Sequence, residues 1–210
     1  MGALGGLLRG LFSLVTALLG VAMLLRLFFV DLVTVPHDGM APTLLVGETV
    51  AVWRKAQVDA GDIVVCPHPA SPSASVLGRA VAFAGQRLRL DAQGNALLDD
   101  RHAVPTPTRT MPWFDAAHQK QITMQVSQSE GQGSGHYEHM VAGDAPLKPR
   151  SYAVKRGVFL LGDNRSDVRD DSRHFGEVEP GSCRGQVVLR VAPAQARPDQ
   201  LQHSYFDVIP

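Results

Sequence analysis

Net charge is the first thing this chain lacks: 20 Lys and Arg balance 20 Asp and Glu, so the formal charge at pH 7 is zero. A nucleic-acid partner calls for a basic surface that displaces counterions, so that class is set aside. Cysteine is scarce as well. Cys66 and Cys183 are too few for a disulfide framework. Neither has a Cys or His at metal-ligand spacing, so no metal is expected. In an oxidising compartment the two could be bridged, but sequence does not show whether their Cα atoms come close enough. Beyond residue 30 there is no long stretch of helical periodicity, and no internal repeat anywhere.

What is present begins with one long apolar run, Gly10 to Val30, hydrophobic on every side rather than along one stripe. About 20 residues at about 1.5 Å each span about 30 Å, the hydrocarbon thickness of a bilayer. Arg26 interrupts it. A charge at the bilayer centre costs about 2.5–3.5 kcal/mol on insertion scales, but near a helix end the long stem carries the guanidinium to the interface. The sequence after Val30, Asp-Leu-Val-Thr-Val-Pro, offers no small-x-small cleavage site, so the run reads as an uncleaved anchor rather than a secretory signal. Arg9 precedes it, whereas residues 31–50 carry Asp31, Asp38 and Glu48 and no Lys or Arg. The positive-inside rule then places the N-terminus in the cytoplasm and the remainder outside.

The remainder consists of short apolar runs between turn residues: Leu44–Val46, Val50–Trp53, Ile63–Val65, Val81–Phe83, Arg87–Leu90, Ala96–Leu98, Val158–Leu161 and Val187–Val191. This pattern predicts a mainly β domain. Arg87 to Asp91 alternates, and Gln93-Gly94-Asn95 then turns the chain into Ala96–Leu98, as in a hairpin. Pro105, Pro107 and Pro112 suggest an irregular connection, and Ile122–Val126 a strand leading to a Gly- and Ser-rich tip. The expected organisation is a cytoplasmic N-terminus (1–9), an anchor (10–30), a β domain (31–195) with a hairpin insertion at about 101–150, and a polar tail (196–210). His136 and His139 read as solvated residues of the tip, Trp53 and Phe83 as core or membrane-facing aromatics.

Four stretches in order resemble the motifs of type I signal peptidases. Pro36-His37-Asp38-Gly39-Met40-Ala41-Pro42-Thr43-Leu44 is similar to the family's Pro-Ser-x-Ser-Met-x-Pro-Thr-Leu. Gly61-Asp62-Ile63-Val64-Val65 resembles its Gly-Asp-x-Val strand, and Gly78-Arg79-Ala80-Val81-Ala82-Phe83-Ala84-Gly85-Gln86 its Lys-Arg-Val-x-Gly-x-Pro-Gly-Asp. Gly162-Asp163-Asn164-Arg165, leading to Asp171-Ser172-Arg173, is the most specific of the four. The resemblance covers most of residues 35–195. It implies a β-rich domain behind one transmembrane helix, at a bacterial plasma membrane with the domain outside, acting on signal peptides of exported proteins without a cofactor.

The implied chemistry is a Ser/Lys dyad: the hydroxyl attacks the peptide carbonyl, and a buried lysine with a lowered pKa accepts the proton. Donors for the oxyanion come from the nucleophile's backbone N–H and a serine two residues earlier. In this sequence the nucleophile falls on Gly39, the base on Gly78 and the assisting serine on His37. Arg79 cannot replace the lysine, since a guanidinium does not deprotonate in proteins. Residues 166–170 are one longer than the family spacing, and Arg169 takes the offset of the serine that orients the base. Asp163, Asn164, Arg165, Asp171 and Arg173, with Gly162 and Ser172, read as a framework that shapes the loop. Met40, Pro42, Ala80 and Val81 are the expected cleft, which the two small glycines should leave open. Three functions compete: an inactive homologue that holds signal peptides or an intact paralogue, a peptidase with an unconventional nucleophile (Thr43, or Asp38 with Asp171), and a membrane-surface adaptor.

Overall fold

The computed structural model describes residues 2–99, 106–115, 119–131, 135–195 and 201–209. It opens with a helix, α1 (Gly2–Phe28), whose stretch Leu8–Phe28 has mean hydropathy 2.2 and nothing packed on it. This is long and apolar enough to cross a membrane. The helix ends two residues before the expected Val30, because Val30 already pairs with Trp53 in the first strand ladder. Arg26 turns its guanidinium to the helix end, onto the Val30 carbonyl (2.9 Å) and Asp31 (3.3 Å). Arg54 reaches back to the Leu27 carbonyl at 2.9 Å, and Phe29 stacks on Trp53 with centroids 5.5 Å apart.

A seven-stranded sheet forms the body of the domain. Its strands are β1 (Val30–Thr34), β2 (Thr49–Trp53), β3 (Ile63–His68), β4 (Ser71–Phe83), β11 (Val158–Leu161), β12 (Gly185–Ala192) and β13 (Asp207–Val208). They run in the order β1-β2-β12-β3-β4-β11, with β13 added beside β12. Short apolar runs with little helical propensity gave most of these strands. The exception is Leu44–Val46, which is a turn: the Leu44 N–H bonds the Met40 carbonyl at 2.9 Å, and the leucines are buried without joining a ladder. Two three-stranded sheets flank the body. One is β10-β5-β6, from β5 (Arg87–Leu90), β6 (Ala96–Leu98) and β10 (Arg150–Ala153).

The other flanking sheet is β7-β8-β9, from β7 (Thr106–Asp115), β8 (Lys120–Gly131) and β9 (Gly135–Ala142). The insertion is therefore a three-stranded sheet rather than a hairpin. Pro107 and Pro112, expected in an irregular connection, lie in β7, an edge strand where a missing N–H is tolerated. Pro105, residues 132–134 of the Gly-rich tip and residues 196–200 lie outside the described residues.

Cys66 and Cys183, left open by the sequence, form a disulfide that ties β3 to the approach to β12 across 117 residues. The tail, for which the sequence suggested only polarity, docks on the domain. Ile209 packs in one core cluster with Val35, Met40 and Leu44. His203 and Arg190 both meet buried Glu48, at 2.7 and 3.1 Å. Burial alone would raise the Glu48 carboxyl, but bonds from His203 and the Leu45 N–H, with the His203 and Arg190 charges, hold it below its ordinary value.

Candidate functional site

Gly39 sits in a single 3-10 turn, Asp38–Met40, with His37 as its N-cap. Capping gives the His37 side chain a definite place: its Nδ1 accepts the Gly39 N–H at 3.1 Å. A Cβ added at Gly39 would lie 2.8 Å from that Nδ1 and 2.9 Å from Cε1. The imidazole therefore fills the space where a nucleophile's side chain would start. It also takes the backbone N–H that the family chemistry needs for an oxyanion. Because Nδ1 accepts a proton donor, the ring is the neutral tautomer with hydrogen on Nε2, which faces Asp170 Oδ2 at 3.7 Å.

Gly78 lies inside β4, paired with Val64 of β3. A Cβ there would meet Leu160 Cβ at 3.0 Å and the Leu161 carbonyl oxygen at 3.6 Å. The next residue, Gly162, lies so close to the Gly39 carbonyl that any side chain would strike it. The two glycines thus flank one piece of backbone, Leu161–Gly162. The expectation that these glycines leave an open slot is corrected: His37 fills one and Leu160 crowds the other.

The residues around them are fixed by buried charge pairs. Arg79 donates from Nε and Nη2 to Asp163 at 2.9 and 2.8 Å, and from Nη1 to the Gly61 carbonyl at 2.6 Å. Both side chains are fully buried, and the guanidinium lies 4.3 Å over the Tyr137 ring. Thr43 donates to the same carboxylate at 2.6 Å. Both oxygens of that carboxylate are already held by Arg79, so it serves an ion pair rather than standing as a base for Thr43. Asp171 caps the short helix α2 (Ser172–Phe175) and takes Arg173, whose other nitrogens reach the Arg165 and Asp167 carbonyls. Asp38 accepts the Val46 N–H instead, so each of those two carboxylates is spent on a different loop. Ser172 accepts the Leu160 N–H at 2.9 Å. Arg165 is buried under Gly94 with its Nη2 on the Tyr137 hydroxyl. All four lysines of the chain, Lys55, Lys120, Lys148 and Lys155, are exposed, so none is in the desolvated setting a lysine base needs.

A cleft of about 410 Å³ opens beside Gly39, lined by His37, Asp38 and Asn164 on one side and by Trp113, Ile122 and Met124 of β7 and β8 on the other. The residues expected to line the cleft are elsewhere: Met40, Ala80 and Val81 pack in three separate core clusters, and Pro42 is buried beside Ala41.

Residues 8–192 match the protein family described as Signal peptidase, peptidase S26. The chain belongs to the signal peptidase family. Among its relatives are proteins named Signal peptidase I from two strains of Streptococcus pneumoniae, each 28% identical over 193 residues, covering 88% of this chain and 91% of the relative.

One residue of this signal peptidase homologue was misjudged from sequence. His139, expected in solvent, pairs opposite Ser127 in the β8–β9 ladder and is fully buried. Its Nδ1 lies 3.2 Å from the Ser129 hydroxyl. Burial, with Arg165 nearby, pushes its pKa down to about 3 from an ordinary 6.5. The folded state therefore keeps the ring neutral where the unfolded chain would protonate it. Stability is complete above about pH 6.5 and falls as pH drops toward 3. Between pH 6.5 and 4.5 the loss should be about 2–3 kcal/mol. Urea unfolding across that range checks this, and His139→Gln should flatten the slope. His136, by contrast, is exposed on β9.

Proposed function

We propose that this chain is a membrane-anchored signal peptidase homologue that holds peptide in its groove without hydrolysing it. The N-terminus would lie in the cytoplasm and the β domain outside the plasma membrane. The ligand would be the signal peptide of an exported preprotein, free or presented by an intact paralogue. One observation carries the reading. The His37 imidazole stands in the nucleophile's place and consumes the Gly39 N–H, so a bound carbonyl would meet neither an attacking group nor that oxyanion donor. The open cleft beside Gly39 supports retention of binding.

The test uses the full chain in detergent with a fluorescent leader peptide that continues several residues beyond its small-x-small site. Saturable binding with the peptide intact by mass spectrometry is expected. Cleavage at the small-x-small site, or no binding at all, would contradict the proposal.

A further inference from the structure

We propose that the outer face of the small β10-β5-β6 sheet binds a phosphate group, at a site that shares no residue with the cleft beside Gly39. The inner face of this sheet packs on the body, Leu88 and Leu90 sharing a core cluster with Phe159 and Leu161. Alternation along β5 then turns Arg87 and Arg89 to the other side, about 7 Å apart, and both are exposed. The ladders put Ser151 and Leu97 on either side of Arg89, and Ala153 beside Arg87. These residues line a pocket of about 310 Å³.

The charge at this pocket is unspent. Among the described residues, neither guanidinium has a hydrogen-bond or ion-pair partner. The neighbouring carboxylates are turned onto backbone instead. Asp99 takes the Arg87 N–H at 2.9 Å, Asp91 the N–H groups of Gln93 and Asn95, and Glu177 those of Lys155, Arg156 and Gly157. Exposed cations also frame β10, with Lys148 and Arg150 at its start and Lys155 and Arg156 past its end. Like charges crowded on one small sheet repel unless an anion lies between them. A chain of zero net charge thus carries one local positive field.

The donor set favours phosphate over carboxylate. A guanidinium presents two parallel N–H bonds in one plane, so a single arginine already matches both oxygens of a carboxylate. Two such forks from successive outward positions, with the Ser151 hydroxyl beside one of them, suit an anion whose oxygens point tetrahedrally. Ala153 leaves room opposite Arg87, and Leu97 offers apolar surface to the carbon group that bears the phosphate. A lipid headgroup and a soluble phosphate compound share this chemistry.

Isothermal titration of the full chain in detergent, at low and constant ionic strength, compares inorganic phosphate with malonate, a dianion of planar carboxylates. Phosphate should bind at least about tenfold more tightly, and more weakly as salt rises. Arg87→Ala/Arg89→Ala should abolish binding, whereas Lys155→Ala/Arg156→Ala should weaken it by less than about threefold. Absence of phosphate binding, or equal affinity for the two anions, overturns the proposal. So does phosphate binding that survives loss of both arginines, or equal loss in the two double variants. A titration with glycerophosphoglycerol, a lipid headgroup without its acyl chains, separates the sources. Tighter binding than inorganic phosphate assigns the site to lipid and weaker binding to a soluble phosphate; both uphold the site. Peptide holding is unaffected by any of these outcomes, because the variants leave the cleft untouched.

Discussion

A chain carrying Gly39→Ser and Gly78→Lys is expected to remain without measurable peptidase activity, and adding His37→Ser is expected to raise it by at least about a thousandfold. The reason is steric before it is chemical. A serine Cβ at position 39 would sit 2.8 Å from His37 Nδ1, closer than side chains tolerate. Rotation about χ1 does not move that Cβ, so either the ring or the turn must shift, and as long as the ring stays it also keeps the Gly39 N–H. Replacing His37 with serine frees the volume and the donor together. Lysine at 78 meets a firmer wall, since Leu160 is fully buried and its N–H is held by Ser172. The rearmed enzyme should therefore stay below an intact family member, whose dyad is worth on the order of a millionfold. Equal activity of double and triple variants would show that His37 is not the obstacle. Cleavage of a preprotein, followed on gels, is the readout.

The second large effect is expected at Asp163→Ala, which should cost about 3–5 kcal/mol and lower the melting temperature by about 10 °C. Removing the carboxylate leaves the Arg79 cation fully buried without the group that balances its charge, beside the Gly61 carbonyl and the Tyr137 face. Thr43 loses its acceptor at the same time. Asp163→Asn keeps an oxygen for one of these donors and should lose less. Thermal unfolding in detergent by circular dichroism measures both. A shift below about 3 °C for the alanine variant would mean the pair is not what orders the loop.

These outcomes depend on features of very different visibility in the sequence. The anchor, the short strands and the glycines at 39 and 78 were legible because each is local: a run, an alternation, a motif offset. The assignment of Gly39 and Gly78 to the nucleophile and base positions came from the motifs. His37 as a stopper did not, since a one-letter string does not show that an N-cap imidazole folds back over its own turn. His139 was misread because its Gly-rich neighbourhood suggested a tip, whereas the ladder extends through it and alternation turns the ring inward. The Glu48–Arg190–His203 cluster joins three residues spread over 155 positions, and no local pattern announces it. The Cys66–Cys183 bridge is of the same kind.

The most direct measurement is prolonged incubation of the purified, unmodified chain with an exported preprotein, the mass of the preprotein being read before and after. An unchanged mass, beside full processing by an active signal peptidase, is the result this account requires. Appearance of mature protein cut after the small-x-small site, persisting when His37 is left in place and contaminating proteases are inhibited, would mean that an imidazole and two glycines do not disarm this site.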